Sequence, residues 1–81
     1  MSIRVRYFAA LAERVGRRHE EIETVAATAG ALVDELRARG EPWASAFDTR
    51  THIAINQHVA GASDAISDGD EVAFFPPVTG G

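Results

Sequence analysis

A single stretch of this sequence has the apolar spacing of a long amphipathic helix, and no other feature limits the possible folds as strongly. Its apolar side chains recur at i, i+3, i+4 and i+7 and share one helix face: Ala29, Leu32, Val33 and Leu36. Thr28 is a suitable N-cap, and Gly40 followed by Glu41-Pro42 ends the helix. One long helix covers only one face of a small sheet, so the rest of the chain must supply that sheet.

The remaining sequence contains several stretches with the character of β-strands. Four of them alternate apolar and polar residues or are rich in strand-forming residues: Ile3–Phe8, Glu20–Val25, Thr51–Asn56 and Glu71–Phe75. The segment 57–65 is predicted as a loop that could include a short strand around Val59. Ala9–Val15 is predicted as a short helix ending at Gly16, and Trp43–Phe47 as one turn whose aromatic rings lie over the core edge. This order predicts an α+β domain with four or five strands on one main helix and a partly bare opposite sheet face.

Length and composition limit the size of the core and the chemistry available. The 81 residues are enough for one domain, predicted over residues 1–81, with a small core. The chain has no Cys, which excludes disulfides, thiolate nucleophiles and Cys-ligated metals. Its formal net charge of −4 argues against nucleic acid as a partner. Because no apolar run approaches the roughly 20 residues that span a bilayer and the N-terminus lacks a signal-peptide pattern, we expect a cytoplasmic protein without a membrane partner.

Neither the histidines nor the acidic residues have the spacing of a metal site. His52 and His58 belong to a strand and a loop, and His19 is distant in sequence. The acidic residues near the C-terminus lack the oxygen spacing of a calcium loop and are typical of turns: Asp64, Asp68, Asp70 and Glu71. No Ser-His-Asp set, phosphate-binding glycine loop or carboxylate pair for acid–base catalysis is evident. We therefore expect no metal site and no active site formed by this chain by itself.

The last residues form a tail in which two prolines follow a strand and two glycines end the sequence. Pro76 and Pro77 exclude helix and cannot donate to a sheet ladder, so residues 76–81 are predicted to leave the fold as an extended, flexible tail of roughly 20 Å. Because Gly80 and Gly81 lack a Cβ, a partner could enclose their backbone and receive the Gly81 carboxylate. The residues predicted to enter the partner ahead of Gly81 are Pro76, Pro77, Val78, Thr79 and Gly80. The alternative is a frayed chain end without function.

Phe8 and Phe75 are apolar, yet alternation directs both away from the core-facing side of their strands. If the first and last strands lie side by side and parallel, the two rings meet at the end of the bare face where the tail departs. Val59 is expected to join them. This exposed aromatic patch predicts a protein interface formed by Phe8, Val59 and Phe75. The alternative is that either ring folds into the rim of the core.

Three segments of the chain resemble a known family. They are the closing run Asp68–Gly81, which includes Phe74-Phe75-Pro76-Pro77 and the diglycine, the opening Val5-Arg6-Tyr7-Phe8-Ala9 and the mid-chain Ile55-Asn56-Gln57. Through these segments the chain resembles the small subunits of molybdopterin synthase, sulfur carriers with a ubiquitin-like β-grasp fold, along its whole length. The resemblance implies a mixed sheet packed on one main helix. One departure is that Ala12 precedes Glu13 where family members often have Arg, a role that Arg14 could take.

The resemblance also implies a role in molybdenum cofactor biosynthesis, with Gly81 as the reactive residue. An E1-like adenylyltransferase would use ATP to adenylate the Gly81 carboxylate, and a persulfide sulfur donor would convert it to a thiocarboxylate. The tail would then enter the large catalytic subunit of molybdopterin synthase, within a heterotetramer, and donate sulfur to a cyclic pyranopterin precursor. The chain would bind no cofactor and would act as the sulfur-donating subunit of the enzyme complex.

Three other functions are compatible with the same residues. A sulfur carrier for thiamine thiazole synthesis shares the fold and the diglycine, although Phe74-Phe75-Pro76-Pro77 fits the molybdopterin group better. A ubiquitin-like modifier of protein lysines overlaps with sulfur carriers in mechanism. A plain binding module with an inert tail would keep its function after deletion of Gly81.

Overall fold

The computed structural model describes residues 1–77, which form a five-stranded mixed sheet packed on one main helix. In chain order the elements are β1 (Ser2–Tyr7), α1 (Ala9–Val15), β2 (His19–Glu23), α2 (Ala29–Arg37), α3 (Trp43–Ala46), β3 (His52–Ile55), β4 (His58–Ala60) and β5 (Glu71–Phe75). The strand order is β2-β1-β5-β3-β4, in which β1 and β5 are parallel and the other neighbours antiparallel. The predicted β-grasp arrangement is therefore confirmed. The predicted tail residues Val78, Thr79, Gly80 and Gly81 lie outside the described residues.

The core lies between α2 and one face of the sheet, as the apolar spacing predicts. Its largest fully buried side chains come from both layers: Ile3, Val5, Leu32, Leu36, Phe47, Val72 and Phe74. The prediction was wrong for Phe47, whose ring lies within the core rather than over its edge. The extended backbone at Phe47 (φ −100°, ψ 135°) ends α3 and directs the ring inward, where it meets Phe74 edge-on with 5.1 Å between centroids. Within residues 1–77, no helix is long and apolar enough to cross a membrane.

Two strands end earlier than the alternation predicts, because a turn takes over the backbone. β1 ends at Tyr7 rather than Phe8, since the Phe8 carbonyl accepts amides from the first turn of α1. β2 ends at Glu23 rather than Val25, since the Thr24 hydroxyl accepts a backbone amide two residues further on at 3.0 Å. The predicted short strand is present as β4, and α1 and β5 have the predicted bounds.

Backbone contacts fix the N-terminus of α2 to the loop that follows β4. Thr28 is the N-cap, as predicted, and its hydroxyl accepts an amide from the first turn at 3.1 Å. The amides of Ala29 and Gly30 donate to the carbonyls of Asp64 and Ala62 at 3.0 and 2.8 Å. These bonds satisfy donors that a helix N-terminus otherwise leaves unpaired. They also bring the loop so close that a Cβ at Gly30 would lie 2.9 Å from the Ala62 carbonyl oxygen.

We expect Gly30→Ala to lower the free energy of unfolding by about 1–3 kcal/mol, because the added methyl group must displace backbone. Gly61→Ala is the matched control, since a Cβ there would meet nothing closer than the Asp64 carboxylate at 3.9 Å. Urea unfolding followed by circular dichroism measures both values. Equal free energies for the two variants would contradict the close packing at Gly30.

A partly buried ionic cluster joins β1, β2 and the chain after α2. The Glu20 carboxylate accepts the Tyr7 hydroxyl at 2.7 Å and both terminal nitrogens of Arg39 at 2.9 and 3.1 Å. The Arg39 guanidinium also lies 4.9 Å from the ring centroid of Trp43. Burial raises the pKa of Tyr7, and its hydrogen bond to Glu20 raises it further. Burial would raise the pKa of Glu20 as well, but hydrogen bonds from Arg39 and Tyr7 outweigh burial and lower that pKa.

We expect this cluster to stabilise the fold at neutral pH and to lose its effect in acid. Because the pKa of Glu20 is lower in the folded state, the unfolded chain binds the proton first as pH falls, and stability decreases below about pH 4.5. Glu20→Gln should therefore lower the free energy of unfolding by about 1–3 kcal/mol at neutral pH and by less in acid. The control is Glu21→Gln, at an exposed position of the same strand. An equal loss for Glu20→Gln at both pH values would contradict the assigned charge state.

Candidate functional site

Parallel pairing of β1 and β5 brings Phe8 and Phe75 together. Tyr7 pairs with Phe74 in the ladder, so the next residue of each strand lies at the same end of the sheet. The rings of Phe8 and Phe75 stack with centroids 4.5 Å apart and planes at 11°. The Phe8 amide also donates to the Phe74 carbonyl at 3.1 Å, which fixes the start of α1 at this end. The predicted meeting of the two rings is confirmed.

Val59 contributes to the same surface. It lies on β4, is 96 % exposed, and lines with the two rings a shallow groove that also includes Ala54 and Ala73. We call the surface formed by Phe8, Val59 and Phe75 the aromatic patch. The buried side chains of α1 and α2 belong to the core on the opposite face, so no helix within residues 1–77 covers the aromatic patch. An uncovered apolar surface on a small protein is typical of a protein interface.

The tail begins at the aromatic patch. β5 ends at Phe75, and Pro76 and Pro77 follow directly, both partly buried. Phe75 pairs with His52 of β3, so the ladder continues up to the last residue before the prolines. A partner that receives the tail must therefore approach the end of the sheet that bears the aromatic patch.

Arg6 borders the aromatic patch and is absent from the sequence-based prediction of the site. Its guanidinium carbon lies 4.9 Å from the centroid of the Phe8 ring. Its nearest carboxylate belongs to Glu71, with 3.9 Å between nitrogen and oxygen. An exposed ion pair at that distance contributes little to stability. Alternation places Arg6 on the same side of β1 as Phe8, and this was the signal in the sequence that could have included it.

The polar side chains around the sheet do not form a metal centre in the described part of the chain. His19, His52 and His58 are all exposed, and residues 1–77 contain no group of three His, Asp or Glu side chains that could hold an ion. The acidic residues before β5 serve the turn, as predicted. Asp70, for example, accepts a backbone amide at 2.8 Å and the side-chain amide of Asn56 at 2.9 Å. The described groups therefore form a docking surface.

The departure from the family pattern at Ala12 changes the polar groups on α1. Ala12 is partly buried and packs against the core. Arg14 donates to the hydroxyl of Ser45 in α3 at 3.3 Å, so its guanidinium is directed to α3 in this structure. A partner contact by Arg14 stays a prediction.

Comparison with known proteins agrees with the fold and covers nearly all of the sequence. The profile of the ThiS family matches residues 5–81. The chain is 40 % identical over 80 residues to the molybdopterin synthase sulfur carrier subunit of Haemophilus influenzae, a match that covers 98 % of this chain and 99 % of that one. It is 41 % identical to the subunit of the same name from Escherichia coli, with the same coverage.

Among solved structures, SAMP1 of Haloferax volcanii, a small archaeal modifier protein, matches with a TM-score of 0.74 and 30 % identity. That match covers 100 % of both chains. Agreement over the full length in both sequence and backbone leaves no part of the fold outside the comparison. The chain therefore belongs to the ThiS family.

Proposed function

We propose that this chain is the sulfur carrier subunit of a molybdopterin synthase and acts in molybdenum cofactor biosynthesis. The observation that carries the proposal is the stacked pair of Phe8 and Phe75 at the point where the tail leaves the sheet. Relatives that are 40 % and 41 % identical over nearly their full length have the name of this subunit. A small domain with a docking surface beside its tail suits a protein that delivers its end to an enzyme.

The reactive group in this proposal is the carboxylate of Gly81. A carboxylate is a poor electrophile, so an E1-like adenylyltransferase joins it to the α-phosphorus of ATP, with release of pyrophosphate. A sulfur of the persulfide donor then attacks the carbonyl carbon, and AMP leaves. A second thiol reduces the acyl disulfide, which leaves a thiocarboxylate on Gly81 and a disulfide on the donor. The activating partner consumes the ATP, and this chain binds no cofactor of its own.

Sulfur transfer takes place in the large catalytic subunit, which supplies the substrate pocket. The thiocarboxylate sulfur attacks a carbon of the cyclic pyranopterin precursor as a carbon–oxygen bond of the precursor breaks. Water then cleaves the new thioester, which restores the Gly81 carboxylate and leaves the sulfur on the precursor. A dithiolene has two sulfur atoms, so each product consumes two charged carriers, in keeping with a heterotetramer of two small and two large subunits.

The aromatic patch and the tail have separate tasks in this account. Contacts at Phe8, Val59 and Phe75 hold the tail beside the partner's active site, which makes the reaction of its terminus a local one. Pro76 and Pro77 limit the conformations of the segment that follows, which lowers the entropy lost on insertion. The absence of Cβ atoms in the final diglycine lets a narrow channel admit the backbone. Residues 76–80 are thus the proposed insertion segment.

A second candidate function is a ubiquitin-like modifier that becomes joined to lysines of other proteins. The observation in its favour is the 30 % identity to the archaeal modifier SAMP1 over the whole chain. Both functions begin with activation of a carboxylate and differ in the acceptor. A covalent adduct between this chain and another protein, resistant to reducing agents on a gel, would favour the modifier. Release of the unmodified chain after sulfur transfer would favour the carrier.

Mass spectrometry of the intact chain tests the activation step. The chain is incubated with ATP and with the adenylyltransferase and persulfide donor of its own organism. We expect a mass increase equal to the replacement of one oxygen by one sulfur, and fragmentation should locate the change at Gly81. No increase, or an increase located at another residue, would contradict the proposed function.

A further inference from the structure

A second groove adjoins the aromatic patch, and its lining is charged. Arg6 and Phe8 line both grooves, because they lie between them. The second groove lies between β1, α1 and the start of β2, and its other charged or titratable side chains are those of Glu13, Arg18 and His19. We call Arg6, Arg18 and His19 the cationic edge. The apolar and charged surfaces thus form one continuous face at the end of the sheet where the tail begins.

The positive charge of the cationic edge is poorly compensated, unlike that of most other arginines. Arg39 lies 2.9 Å from its carboxylate partner, and Arg17 and Arg50 lie 3.3 Å from theirs. Arg6 approaches a carboxylate only to 3.9 Å, and Arg18 forms no salt bridge with any residue of 1–77. A chain with a formal net charge of −4 therefore has a local excess of positive charge beside its aromatic patch.

The position of Arg6 makes this charge useful for docking. Its guanidinium lies over the Phe8 ring, 4.9 Å from the centroid, so part of its conformational freedom is already restricted before a partner arrives. Cross-strand pairing places His19 directly beside Arg6 on the neighbouring strand. A partner that covers Phe8 must also cover or border these cations. An apolar partner surface would leave them desolvated and unpaired, which is unfavourable.

We infer that the large subunit presents acidic side chains next to the apolar surface that receives the aromatic patch, and that the cationic edge selects and orients it. This inference rests on the proposed function and adds the charge of the partner's surface. Charged groups at the border of an interface mainly raise the association rate and fix orientation, while apolar anchors determine how slowly the complex dissociates. The cationic edge therefore acts on the approach of the partner, and the aromatic patch acts on the lifetime of the complex.

The test compares two double charge reversals in the full chain. Arg6→Glu with Arg18→Glu reverses the cationic edge, and Arg37→Glu with Arg50→Glu makes the same change in net charge away from both grooves. Stopped-flow mixing with the large subunit of the same organism measures the association rate at low and at high ionic strength. We expect the first variant to associate about tenfold more slowly at low ionic strength, with a smaller difference at high salt. The second variant should associate at a rate close to that of the wild type.

Three outcomes separate this inference from the proposed function. Equal slowing by both variants would overturn the inference, because net charge would then explain the result. No slowing by the Arg6 and Arg18 variant would overturn it as well, even if Phe75→Asp still abolished binding and left the proposed function intact. Failure of the wild-type chain to bind the large subunit at all would overturn both the inference and the proposed function. Circular dichroism of each variant confirms that it is folded before the rates are compared.

Discussion

Phe75→Asp should weaken binding to the large subunit by about 100-fold or more, while the chain stays folded. The ring stacks on Phe8 with 4.5 Å between centroids and lies on the face opposite the core. Truncation of a central aromatic anchor in an interface typically costs about 2–4 kcal/mol, and a buried carboxylate adds a desolvation cost. The side chains that hold the sheet to α2 are not touched by the change. Isothermal titration calorimetry measures the affinity, and urea unfolding measures the stability.

Two valines provide a matched control for the aromatic patch. Val59 and Val25 are 96 % and 97 % exposed, so replacing either with Asp removes the same side chain from almost the same solvent environment. Val59 lines the groove beside Phe75, whereas Val25 lies in the connection between β2 and α2. We expect Val59→Asp to weaken binding about tenfold and Val25→Asp to leave it within about twofold. Equal affinities for these two variants would contradict the assignment of the interface.

Deletion of Gly81 should lower the rate of sulfur transfer by at least about 100-fold without changing the affinity for the large subunit. The shortened chain would end at Gly80, which moves the reactive carboxylate by about 3.5 Å along the tail. Misplacement of a reacting group by about 1 Å already costs about 100-fold in rate. Product formation in the reconstituted synthase measures the rate, and calorimetry measures the affinity.

The same deletion separates a carrier from a binding module. A module with an inert tail would function equally well with or without Gly81. A large loss of affinity on deletion would contradict the division between a docking surface and a reactive tail. The full-length chain with Gly61→Ala is a useful control, since this change is expected to alter neither the tail nor the aromatic patch.

The sequence predicted the elements that depend on local periodicity and the face on which each side chain lies. The apolar spacing of α2 located its buried face, and Thr28 located its N-cap. Alternation along β1 and β5 placed Phe8 and Phe75 on the face opposite Val72 and Phe74, and parallel pairing then brought the two rings together. This part of the site could be predicted because the period of a strand fixes the direction of each side chain.

The features that the sequence did not predict depend on contacts between distant parts of the chain. The approach of the loop to Gly30 requires the position of Ala62, which no local pattern specifies. The bonds from Arg39 to Glu20 likewise join residues nineteen positions apart in sequence. Arg6 has the alternation of an ordinary exposed strand residue, and only the packing of its guanidinium on Phe8 distinguishes it.

A single-turnover experiment tests most directly whether Gly81 delivers sulfur to the partner. The purified thiocarboxylate form of the chain is mixed with the large subunit and the cyclic pyranopterin precursor, and intact mass and product are followed together. We predict that the chain returns to its carboxylate mass at the rate of product formation, with two chains converted per dithiolene, and only when both other components are present. Product formation while the thiocarboxylate stays intact, or loss of sulfur at the same rate without the large subunit, would contradict this account.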